Sequence, residues 1–261
     1  MARSCVFCGG RPLTREHVMP RWLTSVLPEQ AAFRGQDQQI VLQPDGRNGS
    51  RLILPHREVR ESFNSLTVKA VCRICNNGWM HDMEEIVRPT LSPLIQGESK
   101  QLERSDVLTI ACWTVKTALM AQLTGVEGIA ALAPVYQLFY RERQPPKNSV
   151  VWGAATGSED WALRCESIGA LIRTEDELGT VDASDPVNTV STTIGLGNLL
   201  LHTVFTARSS VSYPPLDEIH EGAVVRLWPN PDATTLLPTH WVFGEVAWMI
   251  SRSFASWYSA N

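Results

Sequence analysis

Apolar positions recur along this chain with two different periods, and the change of period divides it. Between Asp106 and Leu123, the residues Val107, Leu108, Ala111, Val115, Ala118, Leu119 and Leu123 fall on or near one face at helical spacing. Ser105 stands where an N-cap belongs and Gly125 where a helix stops, so the pattern predicts a helix over 106–123. Lys116, inside that run, reads as a core-edge side chain that lays its stem along apolar surface. A second helix is expected from Val135 to Arg143, closed by Pro145-Pro146. Beyond it, β-branched and aromatic runs predict strands at 149–153, 161–165, 168–173, 188–194, 199–206 and 223–228. The tail from Trp241 to Tyr258 is aromatic and apolar enough to dock on the core these elements form.

The first ninety residues are patterned differently. A short strand ends at Val18-Met19-Pro20, and Pro20 suits the first turn of a short helix that carries Trp22, Val26 and Leu27 on one face. A second strand is expected at 66–71. A helix should follow from Asn76 to about Val87, with Asn76 or Asn77 as N-cap and Trp79, Met83 and Ile86 or Val87 buried. The stretch between, about 31–65, opens with polar, glutamine-rich residues 35–39. It then places the turn signal Pro44–Gly49 between Ile40-Val41-Leu42 and Arg51–Leu54. That reads as an inserted hairpin, made basic by Arg47, Arg51, Arg57 and Arg60. Pro89 and Pro93 are expected to close the segment. The resulting division is a domain at 1–90, a linker at 91–104 and an α+β domain at 105–261.

Chemistry enters with the cysteines. Cys5 and Cys8 form one Cys-x-x-Cys, and Cys72 and Cys75 form another. At that spacing a tight turn directs two thiolates at one metal, so two such knuckles supply the four sulfurs of a closed tetrahedral structural zinc site. Closing it would bring Thr14-Arg15-Glu16-His17 beside Asn76-Asn77, gathering an imidazole, a carboxylate and amide oxygens. Such a set can hold a hard divalent cation and deprotonate a water. Asn76 and Asn77 fit helix capping equally well, since capping uses the same side-chain oxygen. Cys112 and Cys165, in apolar surroundings, read as buried packing residues.

Composition narrows the options. At 44% hydrophobic and 19% charged residues the 261-residue chain is globular in type. No apolar run reaches the roughly 20 residues of a membrane span, and the polar start leads straight into the first knuckle. These features predict a cytoplasmic protein with reduced thiols and no membrane partner. The net charge of −4 is unevenly spread. Residues 1–79 carry 11 Lys+Arg against 6 Asp+Glu, and residues 80–261 carry 12 against 21. The cysteine end is the basic end, as phosphate binding would require. No phosphate-binding glycine loop or dinucleotide fingerprint is present.

With Cys5, Cys8, Glu16, His17, Pro20, Cys72, Cys75, Asn76 and Asn77 in the order C-x-x-C, E-H-x-x-P, C-x-x-C-N-N, the first ninety residues resemble the HNH (His-Me finger) endonucleases of the zinc-knuckle branch. The resemblance implies a zinc-stapled ββα-metal, treble-clef-like finger ahead of a larger α+β region. It implies phosphodiester hydrolysis with His17 as general base, and Glu16 and Asn76 as ligands of a catalytic Mg²⁺ or Mn²⁺. The middle Asn of the family has Thr67 near its place here. Arg15, Arg21 and Arg73 become candidate nucleic-acid contacts, with DNA favoured over RNA and a family-level expectation of prokaryotic defence against foreign DNA. Two other classes stay open: a zinc finger that binds nucleic acid without cutting, and a structural knuckle for protein–protein contact.

Overall fold

A computed structural model describes residues 4–27, 32–42, 57–62, 66–124, 133–172, 187–206, 213–229, 235–237 and 240–260. Strand β1 (Leu13–His17) runs into a 3-10 turn at Arg21–Ser25, where the sequence predicts a short helix. Strands β2 (Ala32–Leu42) and β3 (Arg57–Ser62) follow, and β4 (Thr67–Cys72) returns antiparallel to β1. The chain then turns helical through α1 (Arg73–Cys75), a π-helical turn (Asn76–Met80) kinked at Gly78, whose backbone is non-helical, and α2 (His81–Ile95). Two antiparallel strands, a knuckle and a helix make the expected finger, and a larger α+β region follows it.

Several expectations change here. The segment read as a linker at 91–104 is the end of α2, then β5 (Lys100–Leu102), then the start of α3 (Arg104–Gln122). Helix α2 passes through both Pro89 and Pro93. The two prolines stand four residues apart, so the missing N–H donors fall on one side of the helix. Its buried side, with Val87, Leu91, Leu94 and Ile95, is uninterrupted. The inserted hairpin is also different. Strand β2 begins at Ala32 and takes in the glutamine-rich stretch, while the expected turn at 44–49 and strand at 51–54 lie outside the described residues. Strands β2 and β3 pair antiparallel, Ala32 opposite Ser62, but β2 also pairs parallel with β7 (Leu163–Ile172), Arg34 opposite Arg164. The insertion is therefore a wing of the larger sheet.

That sheet is built from β6 (Ser149–Thr156), β7, β8 (Thr189–Leu196), β9 (Leu199–Thr206) and β10 (Val224–Trp228). The order is β10-β6-β9-β8-β7-β2-β3, with β12 (Trp241–Val242) parallel to β6. The two strands expected at 161–165 and 168–173 are one strand, β7, and Trp161 lies in a preceding 3-10 turn. Period-two alternation sends Val151, Leu199, Leu201 and Phe205 to one face, and Val150, Trp152, Leu200 and Val204 to the other. The first face packs on α3 and the finger; the second packs on α6 (Gly244–Ala260), the docked tail. Cover on both faces explains why β6, β8 and β9 are buried throughout. The fourth helix, α4 (Ala133–Glu142), follows α3, and a short α5 (Leu216–Ile219) precedes β10. Strand β11 (Thr235–Leu237) pairs with β5 apart from the main sheet.

Helix α3 is the middle of the molecule. Every residue from Ile110 to Gln122 is buried, because the helix lies between α2 and the sheet. A helix apolar all round belongs in a core, so the one-faced reading of 106–123 underestimated its environment. Its start is capped by Glu103 and not by Ser105: Glu103 and Asp106 form a reciprocal capping box, with the Glu103 N–H donating to Asp106 Oδ2 at 3.1 Å. The knuckle is pressed onto α4 by aromatic packing around Trp79. Phe7 meets it edge-on at 5.1 Å, Phe139 lies at 5.9 Å, and the Arg143 guanidinium sits 4.3 Å over the indole.

Candidate metal cluster and adjoining pocket

The first knuckle is closed by its backbone. Gly9 takes a left-handed φ of +73°, its N–H donates to the Cys5 carbonyl at 2.8 Å, and the Cys5 N–H donates to the Gly10 carbonyl at 3.0 Å. The second knuckle starts where β4 ends at Cys72 and closes one helical turn later at Cys75. Val6 N–H to the Ala70 carbonyl and Arg73 N–H to the Pro12 carbonyl join the two halves. The four Sγ atoms of Cys5, Cys8, Cys72 and Cys75 all lie within 4.8 Å of one another, with Cys8 and Cys72 at 3.5 Å. A tetrahedral zinc with bonds of about 2.3 Å places its sulfurs about 3.8 Å apart, so the four fit one such ion. Gly10 leaves the cluster its room: a Cβ there would lie 3.1 Å from Cys8 Sγ and 3.4 Å from Cys72 Sγ. Cys5, Cys72 and Cys75 are buried, and burial raises the Cys75 thiol far above its ordinary range, which is unfavourable for a thiolate without a cation beside it.

Beside the cluster opens a cavity of about 560 Å³, lined by β1 and the turn after it (Glu16, His17, Pro20, Arg21, Trp22) and by the α1–α2 helical stretch (Asn76, Asn77, His81, Glu84, Glu85). Strand register produces this meeting. Leu13 pairs with Cys72 and His17 with Thr67, and the ladder shifts between Thr14 and Glu16, which buries the Glu16 side chain. Thr67 thus stands opposite His17. The 3-10 turn brings Arg21 back four residues, its Nε 3.4 Å from His17 Nε2. Glu16, His17, Asn76 and Arg21 therefore share one cavity, whereas Arg15 and Arg73 are exposed and outside its lining. His81 also lines it, whereas its neighbour Asp82 does not.

Asn76 is no N-cap, because the chain is already helical from Arg73. Its amide bridges to β1, with Nδ2 3.1 Å from Thr14 Oγ1 and 3.4 Å from the Arg15 carbonyl. Thr14 spends its one hydroxyl hydrogen on the Val71 carbonyl at 3.2 Å, so it can only accept from Asn76. That sets the amide orientation and leaves Oδ1 as its acceptor. Glu16 is pushed up to about 7, first by burial and further by the Glu84 carboxylate, against the Lys116 ammonium, the Asn76 amide and the His17 backbone N–H.

The sequence pattern does not single out Lys116 and Glu84. Lys116 is fully buried, not at the core edge, and its Nζ meets Glu84 Oε1 at 2.6 Å. The available signal was a lone lysine in the long apolar run of α3. Of the helix face expected to be buried, Val87 is, Trp79 and Met83 are half-buried, and Ile86 is exposed. Cys112 and Cys165 are buried as expected, and burial pushes the Cys112 thiol up to about 12.

Among the described residues, the four cysteines are the one group of three or more His, Cys, Asp or Glu side chains close enough to share an ion; the cavity's carboxylates and imidazoles are not drawn together in that way. No helix among the described residues is long and apolar enough to cross a membrane. No protein-family model, curated protein or solved structure matches the chain.

Proposed function

We propose that this chain is a metal-dependent endonuclease of the HNH (His-Me finger) type. The observation that carries the reading is that Glu16, His17 and Asn76, separated by some sixty residues in sequence, line one cavity next to the four-cysteine cluster. A structural zinc on Cys5, Cys8, Cys72 and Cys75 would lock β1 to the helical stretch and so hold that cavity's two walls together. His17 is half-buried, at the cavity wall, where a base can meet a substrate phosphate and a water at once. In the proposed reaction His17 takes a proton from water as its oxygen attacks phosphorus, and the P–O3′ bond breaks. The departing oxygen takes a proton from solvent. Glu16 and Asn76 Oδ1 are the hard oxygen donors that would hold a Mg²⁺ or Mn²⁺, which would supply charge neutralisation at the phosphate. Arg21, whose Nε lies 3.4 Å from His17 Nε2, would meet a phosphate oxygen, while the exposed Arg15, Lys69 and Arg73 would supply positive charge for the flanking backbone. DNA is the proposed substrate and the reducing cell interior the proposed setting, where thiols stay available for zinc.

The test is plasmid nicking by wild type and His17→Ala at matched zinc content, with Mg²⁺ or Mn²⁺. Cleavage by wild type alone supports the reading. The observation that favours a second reading, a finger that binds without cutting, is that the cavity's acidic and imidazole groups are not gathered as one ion site. Binding of DNA or RNA by zinc-loaded wild type, with no cleavage of either, would replace the first reading by the second.

A further inference from the structure

We propose that Lys116 is a positioning residue of this site, brought to the finger by α3: it holds the Glu84 carboxylate in the cavity wall near Glu16. The inference rests on the nuclease reading for its consequence, but not for its geometry.

Three elements meet beneath the cavity. Glu16 comes from β1, Glu84 from α2 and Lys116 from α3. Lys116 has no exposed surface, and its ammonium lies 2.6 Å from Glu84 Oε1, while the Glu84 side chain is 16% exposed and lines the cavity. Lys116 also acts on Glu16 through space, and Glu84 opposes it there. Two carboxylates thus face one buried ammonium. Removing that ammonium would leave them repelling each other, and Glu84, the more exposed, would turn to solvent.

Stability alone does not account for the pair. Helices α2 and α3 already share an apolar interface, with Val87, Leu91 and Leu94 in one core with Ile110, Val115 and Leu119. Replacing a buried ion pair by apolar side chains of similar volume is commonly neutral or stabilising, so apolar side chains at both positions would staple the helices as well. What apolar side chains could not do is hold a carboxylate in one orientation in the wall. Glu84, in the cavity wall, is held by the Lys116 ammonium at ion-pair distance. Lys116 does not line the cavity, so it works on the wall from behind and touches no substrate.

The experiment uses the full chain, zinc-loaded, as wild type, Lys116→Met, Glu84→Gln and the double variant. Three quantities are read: plasmid-nicking kcat and KM, the melting temperature, and the ring ¹H–¹⁵N resonances of His17 and His81. Lys116→Met should lower kcat by about 10- to 100-fold with KM unchanged, the range for residues that orient a site's ligands. The double variant should be no slower than either single one, because both act through one contact. Lys116→Met should also melt on the order of 10 °C lower, with most of that recovered in the double variant, where Glu84 no longer carries a charge deprived of its cation. The His17 and His81 resonances should move in Lys116→Met. If they stay at their wild-type positions, or if the two losses in kcat multiply, Lys116 is a structural pair only and the proposal falls. If wild type cuts nothing, the nuclease reading fails alone, and the resonances and the melting cycle still decide the role of Lys116.

Discussion

Replacing Glu16 by glutamine should flatten the pH dependence of stability near neutrality. Glu16 is 8% exposed, and its carboxyl is held at about 7 against an ordinary value of 4.5. Burial dominates, and the Glu84 charge adds to it, so the nearby Lys116 ammonium does not compensate. The sign follows from proton binding. The folded chain holds the Glu16 proton more tightly than the unfolded chain does, so this contribution is complete below pH 4.5 and is lost as pH rises through about 7. The whole gap corresponds to roughly 3 kcal/mol, of which about 1 kcal/mol falls between pH 6 and pH 8. Glutamine cannot ionise and resembles the protonated acid in shape, so Glu16→Gln lacks this slope. For a chain of this size about 1 kcal/mol is a change of ~2–4 °C in melting temperature. The assay is differential scanning fluorimetry from pH 6 to pH 8 in saturating zinc, which keeps cysteine protonation from releasing the metal within the window. The wild-type melting temperature should fall relative to that of Glu16→Gln by that amount as pH rises. Parallel curves for the two proteins would refute the reasoning, because every other ionisable group is common to both.

The remaining predictions concern the staple, the bridge and the sheet. Cys75→Ser, or a strong chelator acting on wild type, should strip zinc as measured by atomic emission and lower finger stability by several kcal/mol, since metal binding is folding free energy here; retention of stoichiometric zinc would contradict a four-cysteine site. Asn76→Ala should cost about 1 kcal/mol, read by urea unfolding, for the bonds to Thr14 and the Arg15 carbonyl. The same variant should slow nicking by about 100-fold, as a misplaced wall does. Gly195→Ala should destabilise by about 1–3 kcal/mol in urea, because its Cβ would lie 2.0 Å from the Trp161 carbonyl oxygen on the crowded side of β8; a neutral result would mean the 3-10 turn at Glu159–Trp161 shifts freely.

What was legible in the sequence was what short spacing encodes. A Cys-x-x-Cys is a statement about four consecutive residues, so the knuckles, and with them the meeting of Glu16-His17 with Asn76, could be read directly. Strand β9 falls at Leu199–Thr206 as the pattern predicts, since β-branched and apolar residues, interrupted once by His202, run between a turn and the next polar stretch. The order of the sheet was not legible. That β2 leaves the finger to pair parallel with β7 depends on partners more than a hundred residues apart, and no local period records it. The glutamine-rich stretch gives no strand signal because its side chains are polar, yet strand pairing is made by backbone groups that every residue there possesses. Lys116 was misjudged for a related reason. Period gives which way a residue points on its own helix, but burial depends on how many sides of that helix are covered, and α3 is covered on all of them.

The same covering decides how far the finger can be treated apart from the rest. The four sulfurs of the cluster come from residues 5–75, and the backbone bonds that close its knuckles and join β1 to β4 lie in the same span. The cavity beside it needs more. Its far wall is α2, whose buried side rests on α3, and its Glu84 is held by a lysine from α3. Trp79, in the turn that carries Asn76, packs against Phe139 and under Arg143 from beyond α3. A fragment ending at Ile95 would keep the four sulfurs and lose the supports of one wall: Val87, Leu91 and Leu94 would face water, and Glu84 would lose its cation. At about 25 cal/mol per Å² of apolar surface, exposing that side costs several kcal/mol, comparable to the whole stability of a small zinc-stapled module. Metal binding and the arrangement of Glu16, His17 and Asn76 are therefore separable properties. Zinc content reports on the first, and only the chain that includes α3 holds the second.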